Sequence, residues 1–228
     1  MSLTLYRDDV VAGLARLRPG SVDMVLTDPP VAIYLNERGR TERTKLHFEW
    51  LAPALAVCRG PVIYTLGPEV FLAWQDKILK PDILMSWLID RSSERQPAGR
   101  ASIGSDWNVI CVHRPGQPKF ATSDVLLAKP GPRESKIEVR GKQLQHPAPG
   151  SFELAKKICE AWAPKSVLDP FSGIGVVLEG AAAAGVKDLY GIEIDHEYAD
   201  LCRARFTDLG HMVTLSDHKP DMALQVGR

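Results

Sequence analysis

Two short stretches of this chain carry residue types that could do chemistry. One is Asp28-Pro29-Pro30 and the other is Asp169-Pro170-Phe171-Ser172-Gly173-Ile174-Gly175. In the first, two prolines fix their own φ angles and remove two N–H donors, so the segment is stiff and presents acceptors only. An ionised Asp28 is also acceptor-only. Such a cluster suits an –NH₂ group, with one hydrogen taken by the carboxylate and the other by a backbone carbonyl. The exocyclic amine of a nucleobase is a poor nucleophile, because its lone pair is delocalised into the ring. Holding both hydrogens favours a more tetrahedral nitrogen and aims the lone pair at an electrophile. That is catalysis by positioning and electrostatics. The same tripeptide also fits a plain proline-rich turn after a buried strand.

The second stretch follows an apolar β-type run from Ser166 to Leu168 and precedes an alanine-rich helical segment, Val176 to Ala184. Strand, glycine turn and helix together bring backbone N–H groups close to a ligand at a helix N-terminus. About twenty residues further on, Leu189 to Asp195 reads as the next strand, and an acid at that tip is where a ribose hydroxyl pair is usually held. The spacing suggests a nucleoside-containing cofactor without saying which one. Gly173-x-Gly175 lacks the third glycine of the dinucleotide fingerprint, which disfavours NAD. A tight turn without a ligand is the alternative.

The elements that must position these stretches are legible from periodicity. Strands are expected at Thr4 to Tyr6, Ser21 to Leu26, Gly60 to Thr65, Ile83 to Ile89 and Asp106 to His113. Helices are expected at Val10 to Leu17, Leu46 to Val57 (with Pro53 a kink point), Glu69 to Lys77, Phe152 to Trp162 and Glu197 to Phe206. Pro19-Gly20 closes the first helix. Asp28 then falls at a strand's C-terminal tip, the edge where open α/β sheets bind ligands. Asn36 to Lys45 and Asp90 to Ser105 read as polar loops, and from Arg114 to Pro149 prolines, glycines and bases dominate. Thr207 to Arg228 reads as a short strand and a frayed tail. Alternating strands and helices argue for an α/β fold, with a mostly parallel sheet covered by helices on both faces.

The totals bound the function classes. A chain of 228 residues suits one domain. Its 28 basic and 28 acidic residues balance, so any nucleic-acid affinity must come from local charge. Cys58, Cys111, Cys159 and Cys202 are scattered, without metal-ligand spacing, so no metal is expected and a reducing cytosol fits. There is no N-terminal signal pattern and no apolar run of membrane length, so the expectation is a soluble, cytoplasmic protein with no membrane partner.

Taken together, the two motifs resemble those of the DNA amino-methyltransferases that use S-adenosylmethionine and methylate adenine N6 or cytosine N4. The catalytic motif of that family, (D/N/S)-P-P-(Y/F/W), is similar to Asp28-Pro29-Pro30-Val31. Its cofactor motif, D-P-F-x-G-x-G, is similar to Asp169 through Gly175. The catalytic motif comes first, as in the circularly permuted group called the β class. Asp9, the Leu17 region and Ser21-Val22-Asp23 resemble the lead-in G-D-x(n)-L-P-x-x-S-V-D. His146-Pro147 resembles the start of H-P-x-x-K-P, and Gly191-Ile192-Glu193-Ile194-Asp195 with Tyr198 resembles G-I-E-x-D-x-x-Y.

The resemblance implies a single Rossmann-like methyltransferase domain over residues 1–228 and S-adenosylmethionine as cofactor, with S-adenosylhomocysteine as its product. It implies duplex DNA as partner, a flipped target base, and a monomer or homodimer in a bacterial, phage or mobile-element setting. It puts Asp28, Pro29, Pro30 and Val31 at the catalytic tip. It puts Asp9, Asp28, His146, Asp169, Phe171, Ser172, Gly173, Gly175, Glu193 and Ile194 around the cofactor, with Glu193 taking the ribose hydroxyls. A short target-recognition region is expected at 117–145, carrying Lys129, Arg133, Lys136, Arg140 and Lys142. Arg38, Arg40 and Arg43, just after the catalytic motif, are further DNA contacts. The Asp form of the motif points to adenine N6.

Three positions depart from the family pattern. Val31 replaces an aromatic residue that stacks on the flipped base, a contact worth roughly 1–3 kcal/mol. Tyr34 could stand in for it, the pocket could hold its base differently, or activity could be weakened. Gly150 stands where the lysine of H-P-x-x-K-P is expected, and Val176 where a threonine follows the last glycine. Cytosine N4 methylation, a cofactor-binding pseudoenzyme, and methylation of RNA or a protein glutamine are the competing expectations.

Overall fold

The structure is a computed structural model that describes residues 1–30, 48–76, 78–89, 107–118, 124–129, 137–139, 142–144 and 150–217. Its strands are β1 (Ser2–Arg7), β2 (Met24–Thr27), β3 (Val62–Leu66), β4 (Ile83–Ile89), β5 (Trp107–His113), β6 (Val125–Ala128), β7 (Ile137–Val139), β8 (Lys142–Leu144), β9 (Ser166–Asp169), β10 (Asp188–Glu193) and β11 (Met212–Asp217). Its helices are α1 (Val10–Ala15), α2 (Leu51–Val57), α3 (Pro68–Trp74), α4 (Phe152–Trp162), α5 (Val176–Ala183) and α6 (His196–Asp208). Nine strands form one sheet in the order β11-β1-β10-β9-β2-β3-β5-β4-β6, and β7 pairs with β8 in a separate hairpin.

The sheet is mostly parallel. β1 runs parallel to β10 and β11, β9 to β10 and β2, β2 to β3, and β4 to β6. β5 is antiparallel to both of its neighbours, β3 and β4. Central strands are buried on both faces, as parallel sheets require. Met24 and Leu26 enter one apolar cluster, with α4 and α5 residues such as Leu154 and Leu178. Val25, between them, enters the other, with Leu14, Trp50 and Leu51.

The order of the central strands decides where a ligand belongs. From β9 the chain passes through α5 to β10 on one side, while β2 leads to β3 on the other, and β9 and β2 lie next to each other. That is a topological switch point, and the crevice outside its carboxyl ends is the usual ligand site of such sheets.

Most expected elements are present with boundaries moved by a few residues. One expectation is corrected, and one stretch gains elements that composition did not show. The helix expected from Leu46 begins at Leu51, after a turn over Phe48–Trp50. Pro53 therefore falls in its first turn, where no intrahelical N–H is needed, and it does not kink the helix. The stretch from Arg114 to Pro149, noted in the sequence only for its composition, holds further strands. Val125-Leu126-Leu127-Ala128 forms an edge strand on β4, and the β7–β8 hairpin follows. A four-residue apolar run is long enough for an edge strand, but prolines and bases around it hide it from any windowed reading. Among the described residues, no helix is long and apolar enough to cross a membrane.

Candidate active site

Asp28 follows directly on β2. Thr27 pairs with Tyr64 of β3, which sets Thr65 beside Asp28. The Thr65 hydroxyl donates to Asp28 Oδ1. Thr65 is buried, while Asp28 keeps one flank partly exposed, with Pro29 buried and Pro30 exposed after it. The carboxyl thus sits in a notch: protein packs round it, but one side stays reachable. Desolvation pushes it up to about 6, and the Thr65 hydrogen bond opposes that rise. Beneath it lies a cavity of about 20 Å³ lined by Leu26, Thr65, Trp87, Ser151, Leu154 and Val177, among others. Gly150 closes this side. A Cβ there would lie 2.8 Å from Val177 Cγ2 and 3.5 Å from Asp28 Cβ, so the chain can run this close to the acid only as glycine.

Asp169, at the end of β9, is 1% exposed. Its Oδ1 accepts the Thr27 hydroxyl at 2.6 Å and the Phe171 N–H at 3.0 Å. One carboxylate oxygen therefore ties the tip of β9 to the tip of β2 and shapes the glycine turn. Desolvation raises this carboxyl to about 7; the bonds from Thr27 and Phe171 oppose the rise, and the charges of Asp28 and Glu193 add to it. Phe171 is held edge-on by Trp50 at 5.4 Å, and Trp50 meets Tyr64 edge-on at 5.5 Å.

The turn after Asp169 is drawn against β10. Ser172 N–H donates to Ile192 O at 3.0 Å, and Gly173 N–H donates to Glu193 Oε2 at 2.7 Å. Gly175 has φ +84°, and a Cβ there would lie 2.5 Å from Cys202 Sγ. Only glycine fits both the left-handed backbone and the space under α6. Glu193 ends β10, and its Oε1 accepts the Asp195 N–H at 2.8 Å. Burial raises its carboxyl, against the pull of the backbone N–H groups of Asp195 and Gly173. Ile194, next along, is 70% exposed. Asp9 caps α1, accepting the Ala12 N–H at 2.8 Å, and Asp8 N–H donates to Glu193 O at 3.1 Å. Asp9 therefore belongs to the same edge of the sheet.

Asp9, Asp28, Pro29, Pro30, Asp169, Phe171, Ser172, Gly173, Gly175, Glu193 and Ile194 all lie along the carboxyl edge of β1, β10, β9 and β2. Val31, His146, Arg38, Arg40, Arg43, Arg133, Lys136 and Arg140 fall outside the described residues. Lys142 lies in β8, its side chain outside that description. Lys129 follows β6 and is exposed; its N–H donates to Glu153 Oε2 at 3.0 Å and its carbonyl accepts the Ser151 hydroxyl at 2.6 Å. Three residues at the site carry no motif signal: Thr27, Trp50 and Thr65. Strand register places both threonines, and no single-sequence pattern gives that register.

A wider concavity of about 330 Å³ lies at the opposite edge of the sheet, lined by Asp23, Arg59, Trp162 and Lys165 among others. Its acid is already paired, Asp23 Oδ1 with Arg59 at 2.5 Å and Oδ2 with the Ser166 N–H at 3.1 Å. The site with both motifs is the smaller one. Among the described residues, no group of three or more His, Cys, Asp or Glu is placed to hold a metal.

No protein-family profile matches the chain, and no curated protein sequence does either. Solved structures do. TTHA0409 from Thermus thermophilus, a candidate DNA modification methylase crystallised with S-adenosyl-L-methionine, superposes with a TM-score of 0.60 at 22% identity, over 94% of this chain and 99% of that one. M1.HpyAVI in complex with SAM gives 0.57 at 19% identity, over 90% and 98%. The cytosine-N4-specific PvuII DNA methyltransferase gives 0.65 at 15% identity, over 90% and 88%. This chain has their fold. The match spans most of both chains in each case, and the Rossmann-like methyltransferase fold expected from the sequence is present.

Proposed function

We propose that this chain is an S-adenosylmethionine-dependent DNA methyltransferase that methylates the exocyclic N6 of adenine. The observation that carries this reading is the junction of the two motifs at the switch point. Asp28 and Asp169 stand on adjacent strand tips, and the Thr27 hydroxyl, one residue before Asp28, donates to Asp169 at 2.6 Å. A cofactor held over the β9 turn would thus lie next to an amine held by Asp28. The glycine turn fits a nucleoside cofactor. Gly173 and Gly175 give it a tight left-handed backbone, Glu193 offers a carboxylate at the second strand tip, and Ile194 presents an exposed apolar side chain beside it.

S-adenosylmethionine, when bound, supplies a methyl group on a sulfonium, an electrophile. Asp28 and the Pro29 carbonyl take the two amine hydrogens and aim the nitrogen lone pair at that carbon. On transfer the nitrogen would gain the methyl carbon as sulfur kept the bonding pair, and the Asp28 carboxylate, already holding an amine hydrogen, would accept the proton that the nitrogen then loses. Asp28 is ionised in this step, so its notch must let it lose its proton near neutral pH. Glu193 takes the ribose hydroxyls; Asp9, at the same edge, reaches the adenine side. Asp169 is buried and bonded, and it acts by shaping the turn and fixing the β2 tip. Duplex DNA is the partner, with Arg38, Arg40 and Arg43 and the 117–145 region, through Lys129, Arg133, Lys136, Arg140 and Lys142, as its contacts.

Cytosine N4 has the same amine chemistry, and likeness to the PvuII enzyme supports it as the second reading. Incubating the chain with labelled S-adenosylmethionine and unmodified duplex DNA, then digesting to nucleosides for mass spectrometry, separates the two. N6-methyldeoxyadenosine supports the proposal and N4-methyldeoxycytidine replaces it. Cofactor binding without either product, unrescued by Val31→Tyr, points to a binding protein without turnover.

A further inference from the structure

We infer that Thr65 is a positioning residue for Asp28: its hydroxyl holds one carboxylate oxygen and leaves the other to accept a hydrogen of the target amine. This deepens the methyl-transfer reading and rests on it. Three observations carry it. Thr65 is on β3, a different strand from the motif, and parallel pairing of β2 with β3 brings it beside Asp28. Its hydroxyl donates to Asp28 Oδ1. It is 3% exposed, and both it and Asp28 line the same small cavity, so the donor side of the contact is buried.

The chemistry demands such a partner. A carboxylate with two free oxygens can rotate, and its lone pairs then sweep past the amine. A donor on Oδ1 fixes the rotamer and assigns Oδ2 to the substrate. It also favours the ionised form, opposing the desolvation that raises this carboxyl to about 6. The groups facing Asp28 offer little other help. From β9 comes Asp169, an acid, whose carboxyl is raised in part by the charges of Asp28 and of Glu193 on β10. From β4, α4 and α5 come Trp87, Ser151, Leu154, Ala155 and Val177. None of these described neighbours is a cation.

The test compares Thr65→Val, which keeps the shape and loses the donor, with Thr65→Ser, which keeps the donor. Two readouts are needed: the titration of the Asp28 carboxyl by ¹³C NMR, assigned with Asp28→Asn, and the pH profile of kcat for methyl transfer to duplex DNA. In Thr65→Val the Asp28 midpoint and the acid limb of kcat should both move up by about one pH unit, as loss of a bond to a charged group implies. At about pH 6.5 kcat should fall roughly threefold and should recover largely at about pH 9, with KM for the cofactor within about twofold. Thr65→Ser should restore both midpoints. If Thr65→Val does not fold, Thr65→Ala against Thr65→Ser makes the same comparison. A wild-type chain that turns over, with an acid limb unmoved in Thr65→Val, overturns the role of Thr65 alone. A wild-type chain that transfers no methyl group overturns the methyl-transfer reading itself, and with it any role of Thr65 in that reaction.

Discussion

Asp28 is a strong acceptor for an amine hydrogen, and can take up a proton, when ionised, and its notch raises its carboxyl to about 6. Methyl transfer should therefore fall as pH drops through about 6 and level off above about 7. A pH profile of kcat at saturating cofactor checks the limb. Asp169 works differently, because it touches Thr27 and Phe171 from a fully buried place. Its folded value of about 7 lies above the ordinary 3.8, so the folded chain binds more protons than the unfolded chain between those values. Stability should then fall as pH rises from about 4 to about 7, by an amount on the order of 1–3 kcal/mol from this group. Asp169→Asn should flatten much of that slope, leaving what Asp28 and Glu193 add in the same direction. Urea unfolding at both ends of the window measures it. Both acids were legible in the sequence, because each sits in a rare local pattern. Their partners were not. A threonine inside an apolar strand is ordinary, and Thr27 and Thr65 matter only through which strand lies next to which.

Helix and turn geometry carry their own prediction. Gly175 opens α5 at φ +84°, and its missing Cβ leaves room for Cys202 of α6. Gly175→Ala should cost about 2–4 kcal/mol, combining backbone strain with overpacking. If the turn carries the cofactor as proposed, the variant should also lose cofactor affinity. Thermal unfolding and a cofactor titration on the same variant report the two losses. A substitution at Gly185, φ +91° with open space around it, is the matching control for backbone strain alone. α4 was read from the sequence to the residue, because Ser151 caps the helix through the Leu154 N–H and apolar spacing does the rest. The edge strand β6 was missed for the opposite reason: only four residues mark it, and its stability comes from pairing with β4 rather than from its own pattern.

Across the whole molecule, function follows from strand order. Two motifs separated by about 140 residues meet because β2 and β9 are neighbours at the switch point. The sequence supplied both motifs and the alternation of strands and helices; their meeting needed the sheet. The balanced charge total of 28 against 28 hides any basic surface. If Arg38, Arg40 and Arg43 contact phosphates, replacing all three with alanine should weaken duplex DNA binding and lessen the slope of log K against log salt by up to about 3. A fluorescence-anisotropy salt series measures that slope. The central claim is that Asp28 directs a methyl group from S-adenosylmethionine onto a base amine. The most direct measurement is nucleoside mass spectrometry of unmodified duplex DNA incubated with cofactor and either the wild-type chain or Asp28→Ala, with cofactor binding by both checked in parallel. N6-methyldeoxyadenosine is expected from the wild type and at least a hundredfold less from Asp28→Ala, the order of loss for a positioned catalytic group, with cofactor still bound. Equal product from both chains, or none from a wild type that binds the cofactor, would contradict that claim.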